Sequence, residues 1–191
     1  IEDFTKLLLG LDYAEFLSGK EEEVETFILS FIRERVAQRI ATITKRHDII
    51  DAVVNSNTSS VPEQLKAAKV LSAVSESEEF KGITEALNRV INISAKAQDD
   101  ASGEILEDRL ETESERTLVK AIKELHSKVQ TLTPEELYSH LEAMAPKIND
   151  FFNENMVMVD DEATRRNRLR FLGLLSEIIL DLADFTSLIV K

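Results

Sequence analysis

Cysteine and tryptophan are both missing from this 191-residue chain, and glycine and proline supply only five and three residues. Without cysteine there is neither a disulfide framework nor a thiolate metal site. The five glycines (Gly10, Gly19, Gly82, Gly103, Gly173) stand alone, and no phosphate-cradling or nucleophile-elbow motif is present. So few turn-formers favour long, uninterrupted helices. No run approaches the roughly 18 apolar residues of a membrane span, so no membrane partner is expected. Positive charge is the scarcer sign, with 23 Lys and Arg against 36 Asp and Glu and a net charge of −13. Phosphate is held mainly by lysine and arginine, so DNA is not an expected partner. RNA would need a localised basic surface.

The chemistry-bearing residues are sparse. His47, His126 and His140 share no ligand spacing, so no metal site is expected. Paired acids such as Glu21–Glu23 and Asp160-Asp161 suit solvated faces and helix N-termini better than acid–base dyads. No catalytic residue is expected in this piece. The chain opens on Ile1-Glu2-Asp3-Phe4, with neither an initiator methionine nor a signal peptide, and reads as part of something longer.

What is present is helical spacing. Val24, Phe27, Ile28, Phe31, Ile32, Val36, Ile40 and Ile43 predict one long helix from about Glu21 to Thr44, roughly 36 Å in length. A short helix over Asp48–Asn55, a polar loop, and a helix capped by Ser60 with Pro62 in its first turn follow. Glu78–Ala97 and Glu113–Leu132 carry the same periodicity. Thr133, Pro134 and Glu136 form a capping-box start, Pro146 is expected to open another helix, and Asp160 or Asp161 to cap the last. Between them Asp99–Glu115 holds eight acids and one arginine, and is expected to be an exposed loop or frayed helix. The fold class is all-α, a bundle of about eight helices forming a single domain over 1–191, with 1–20 as a leading segment.

Against the acidic background two basic clusters stand out. Arg165, Arg166, Arg168 and Arg170 fall within two turns of the last long helix, and Arg33, Arg35, Arg39, Lys45 and Arg46 give the window 33–46 a net charge of +4. Either could follow a phosphate backbone or be a solvated face paired with nearby acids such as Glu162. Phe151-Phe152 and Met156-Val157-Met158 fit a stacking platform for unpaired bases. At helical spacing Phe152 and Met156 fit the core better.

Several phrases together resemble one family. Asp161-Glu162-Ala163-Thr164-Arg165-Arg166-Asn167-Arg168-Leu169 is similar to the Asp-x-Ala-Leu-Arg-x-Asn-Arg-Leu signature of DALR-type anticodon-binding domains. Ile148–Phe152 leading into Met156-Val157-Met158, Asn88-Arg89-Val90-Ile91-Asn92-Ile93, Asp51-Ala52-Val53, Phe31-x-x-Glu34-Arg35 and Ala183-Asp184-Phe185 resemble the C-terminal region of the bacterial glycyl-tRNA synthetase β subunit. Thr164 stands where that family has leucine, and Asn88 where it has lysine. The resemblance implies a helical domain holding the anticodon side of tRNA for glycine, in a cytoplasmic enzyme of two α and two β chains. The parent joins glycine to tRNA with ATP and magnesium, while this piece carries no cofactor. On that resemblance Arg165, Arg166 and Arg168 are expected at phosphates and Asn167 at a base edge or helix cap. Arg89, Asn92, Arg33 and Arg35 form a second tier. The competing expectation is a helical scaffold docking the β subunit onto the α subunit or a neighbouring domain, marked by a contiguous exposed apolar patch.

Overall fold

A computed structural model describes residues 21–95 and 103–190. Among the described residues there are seven α-helices and no strand: α1 (Glu21–Ile40), α2 (His47–Val54), α3 (Val61–Val74), α4 (Glu78–Ala95), α5 (Glu113–His126), α6 (Pro134–Glu154) and α7 (Glu162–Leu182). Single 3-10 turns lie at Glu107–Arg109, Val129–Thr131 and Phe185–Ser187. The expected leading segment 1–20 and residues 96–102 lie outside the described residues.

Local chemistry sets the helix starts. The Thr133 hydroxyl accepts the Glu136 amide while the Glu136 carboxylate accepts the Thr133 amide, a reciprocal cap with Pro134 behind it. Thr112 and Glu115 repeat that device at α5, and Asp161 caps α7 by accepting the Thr164 amide at 2.8 Å. Ser60 occupies the cap position of α3 but makes no side-chain cap bond, so Pro62 is the working start signal there. The expected break at Pro146 does not occur. Its ring lies on an exposed face of a continuous α6, and Glu142, whose carbonyl loses its i+4 donor, is also exposed.

α7 is the centre of the bundle. Leu169, Phe171, Leu172, Leu175, Ile178, Ile179 and Leu182 are buried along it, facing α4 (Phe80, Ile83, Leu87, Val90), α5 (Leu118, Ile122) and α6 (Ile148, Phe151). Phe151 meets Phe171 edge-on at 5.3 Å. Each such side chain contributes about 1.5–3 kcal/mol by leaving water, which outweighs any helix propensity here. α1, α2 and α3 pack on one another, and the far end of α7 joins them: the Asn57 amide donates to the Leu180 carbonyl and the Asp184 amide to the Ala52 carbonyl, each at 2.8 Å. The tail is held there too, by Arg46 donating to the Ile189 carbonyl at 2.8 Å and the Ile189 amide donating to Asp48 at 2.9 Å.

Candidate nucleic-acid interface

The four arginines at the start of α7 divide by direction, because a helix turns about 100° per residue. Arg168 points inward and is only 4 % exposed. Its Nε donates to Glu115 Oε1 at 2.5 Å, Nη1 to the Met156 carbonyl at 2.8 Å, and Nη2 to Glu111 Oε2 at 3.0 Å and Asn155 Oδ1 at 3.4 Å. The other oxygen of Glu115 accepts the amides of Glu111 and Thr112 at 2.6 and 3.0 Å. Asn155 completes the network, donating to the Ser114 hydroxyl and the Phe151 carbonyl and accepting from Thr112. A guanidinium so surrounded cannot reach a phosphate. Arg168 is thereby corrected from an RNA contact to an interior ion pair, tolerated because every donor and acceptor around it is matched.

Asn167 is corrected in the same way. It is buried, its Oδ1 accepts the Leu106 amide at 2.7 Å, and its Nδ2 donates to the Leu106 carbonyl at 2.9 Å. It therefore serves a neighbouring backbone as a strand would, and neither caps a helix nor faces a base. The Thr164 hydroxyl, where the family has leucine, is buried and donates to Glu111 at 3.4 Å. Arg170 donates to the Glu104 carbonyl and lies 3.2 Å from where a Cβ on Gly103 would stand, at a φ of +110° that favours glycine.

These bonds bind residues 103–112 along α7 as a strap, tied on its other side by the Lys123–Glu107 ion pair. From 103 onward the acidic stretch is thus a docked segment whose carboxylates mostly remain exposed, as expected, while its Glu115 lies in the interior. Thr112-x-x-Glu115 before an apolar run was a visible capping signal. That Glu111 and Glu115 would meet an arginine 53 and more residues away had no local sign.

The remaining candidates stay at or near the surface. Arg165 is half-buried and donates to the Val159 carbonyl at 2.9 Å, while Arg166 is exposed and pairs with Glu162 one turn earlier at 2.6 Å. Such a surface pair is worth a few tenths of a kcal/mol and is readily exchanged for phosphate. Arg89 is exposed and its guanidinium lies 4.0 Å from the centre of the Phe152 ring, and Asn92 is exposed on the next turn. Asn88 Oδ1 is buried without a hydrogen-bond partner.

Arg33 and Arg35 are exposed on α1, Arg35 beside Phe31 and bonded to Gln38. α1 sits with α2 and α3, and the loop between those two meets α7 at Leu180 through the Asn57 amide. That is fifteen residues, or about 22 Å of helix, from Arg165. Phe151 and Phe152 are core residues. Met156 and Met158, by contrast, are 74 % and 63 % exposed on either side of buried Val157, so the expected core position of Met156 is corrected to a surface one. α6 ends at Glu154, and the connection bends at Val157 and Met158, where the Val159 amide donates back to the Val157 carbonyl at 3.1 Å.

A helical bundle organised around this arginine-bearing helix belongs to the DALR anticodon-binding domain family, whose pattern matches residues 83–184, just over half of the chain. The matched region runs from α4 to the end of the α7 turn. Among known proteins the chain is similar to the glycine–tRNA ligase β subunit of Lactobacillus delbrueckii subsp. bulgaricus, 31 % identical over 191 residues, covering 100 % of this chain and 27 % of that protein. It is likewise similar to the β subunits of Lactiplantibacillus plantarum (34 % over 166 residues; 86 % of this chain, 24 % of that one) and Streptococcus pyogenes serotype M18 (38 % over 167 residues; 86 % and 23 %). The chain spans about a quarter of the length of these curated relatives.

Proposed function

We propose that this chain is the tRNA-binding module of a glycine–tRNA ligase β subunit and holds the anticodon side of tRNA for glycine by recognition alone. The observation that carries this is the DALR match over 83–184, the region in which Arg89, Asn92, Arg165 and Arg166 present polar groups toward solvent. ATP-dependent glycylation, its magnesium and its catalytic groups belong on this reading to other parts of a cytoplasmic complex containing the α subunit and a second β chain.

The binding surface is small and sits on an acidic body, so affinity for the isolated arm of tRNA is modest and strongly salt-dependent. The test is affinity for tRNA against salt concentration, for wild type and for Arg89→Ala/Arg166→Ala. Each lost phosphate contact lowers the log–log slope by roughly 0.7–0.9, so the double variant is expected to bind more weakly with a slope reduced by one to two. Superimposable curves would remove both residues from the site.

A second reading has its own observation. Phe27 and Phe31, one turn apart on α1, are both exposed, Phe27 to 69 %. They make an apolar stripe for another protein surface, such as the α subunit or a neighbouring domain. Phe27→Ser/Phe31→Ser separates the readings: it weakens subunit association and leaves tRNA affinity intact if α1 is a docking helix.

A further inference from the structure

We infer that Asn167 and Arg168 are positioning residues for RNA binding: they act from inside the domain, by fixing two surface segments, without touching RNA. The inference rests on the tRNA-binding reading above.

The two segments flank the start of α7 and have almost no regular backbone pairing of their own. The strap, 103–112, contains a single 3-10 turn, and the α6–α7 connection, 155–161, contains none. Their backbone groups must find partners elsewhere, and α7 supplies them. Leu106 is clamped at both its amide and its carbonyl by Asn167. The Met156 carbonyl is held by Arg168, and the Val159 carbonyl by Arg165. Arg168 also joins the segments to each other, since Glu111 of the strap and Asn155 of the connection share one face of its guanidinium fork. Arginine suits this task because its donors diverge in a fixed plane, where an ammonium would reach fewer of the four acceptors.

What the segments display is then set by these interior bonds. Val157 packs inward, which turns Met156 and Met158 outward. The strap leaves Glu104, Glu107 and Asp108 exposed, with the Glu104 carbonyl held by Arg170 and the Glu107 carboxylate by Lys123. Loosening either segment would spread its side chains over many arrangements, and RNA binding would then have to restore the order.

Salt dependence separates the possible roles, with measurements on the full chain well below its melting temperature. The probe is an RNA hairpin with the sequence of the glycine anticodon arm, and the variants are Asn167→Ala and Arg168→Lys. Positioning predicts affinity roughly 5- to 10-fold weaker, of the order of an ordinary coupling between sites, with the salt slope unchanged because no phosphate contact is lost. Amide exchange at Leu106 in Asn167→Ala is expected to quicken by about tenfold or more while α6 and α7 keep their protection. Unaltered affinity in both folded variants would overturn the inference, leaving a role in stability alone. A slope reduced by about one would overturn it in favour of direct contact. Should Arg168→Lys fail to fold, Asn167→Ala decides alone, since it removes no charge. Wild type showing no salt-dependent affinity for the hairpin defeats the tRNA-binding reading and this role together. Wild-type binding with an indifferent Asn167→Ala defeats this role only.

Discussion

Arg168 and Glu115 show how much a single buried charge depends on its counterpart. Removing one member strands the other in the interior, and such losses run to about 3–5 kcal/mol, a large part of the stability of a domain this size. Arg168→Ala is therefore expected to lower the denaturation midpoint severely. Arg168→Met/Glu115→Gln, which removes both charges, keeps their volume and leaves an amide oxygen to accept the Glu111 and Thr112 amides, is expected to recover part of that loss. Urea titrations of the three proteins check this, and a double variant no more stable than Arg168→Ala would refute it. The same comparison shows why the site was only partly legible. Helical spacing was enough to show that Arg166 and Arg170 share a face, but not which face meets the core. That depended on Glu111 and Glu115, and on a strap whose course no local pattern encodes. Arg166 and Arg89 are legible as surface cations, whereas the inward position of Asn167 and Arg168 is not, because burial of a polar side chain is a tertiary property.

The helices were legible because apolar residues recur at three and four along nearly every segment, and because the caps at Thr133 and Asp161 are local chemistry. Pro146 misled for an instructive reason. Proline is excluded from helix interiors by a missing donor and a ring clash, yet α6 carries it, since Ile148, Phe151 and Phe152 beyond it all gain burial by staying in register. The helix pays for that register. Pro146→Ala restores the hydrogen bond at an exposed position and is expected to stabilise the domain by about 1–3 kcal/mol, the interior-helix difference between the two residues. Thermal unfolding followed by circular dichroism measures it, and an unchanged or lower melting temperature would mean that α6 has already relaxed around the ring.

Over the whole molecule the acids outnumber the bases, and several carboxylates are bound in ways that govern acid stability. Hydrogen bonding from Thr164 holds Asp161 below the usual carboxylate range, and Thr133 does the same to Glu136. Burial pushes Asp48 up, but the Arg46 guanidinium and the Ile189 amide together bring it below its ordinary value. A carboxyl depressed in the folded state stabilises it above the unfolded value, near pH 4, and that contribution is lost as pH falls through the folded value. Asp181 runs the other way, raised by burial beside Glu177 and Glu63, so its protonation favours folding. Hydrogen bonding from Lys123 lowers Glu107 as well, and with four depressed groups against one raised, the melting temperature is expected to fall from about pH 4 downward, and Asp48→Asn to flatten the decline. A midpoint that climbs steadily to pH 3 would contradict it. The bond from Arg46 to Ile189 has a further effect during synthesis, because its ends are 143 residues apart. At about 5–20 residues per second the ribosome needs on the order of ten seconds to cover that distance. Throughout that interval the inward face of α2, with Ile49, Ala52 and Val53, awaits its cover from Phe185 and its neighbours, and nascent chains at this stage are natural clients for holdase chaperones.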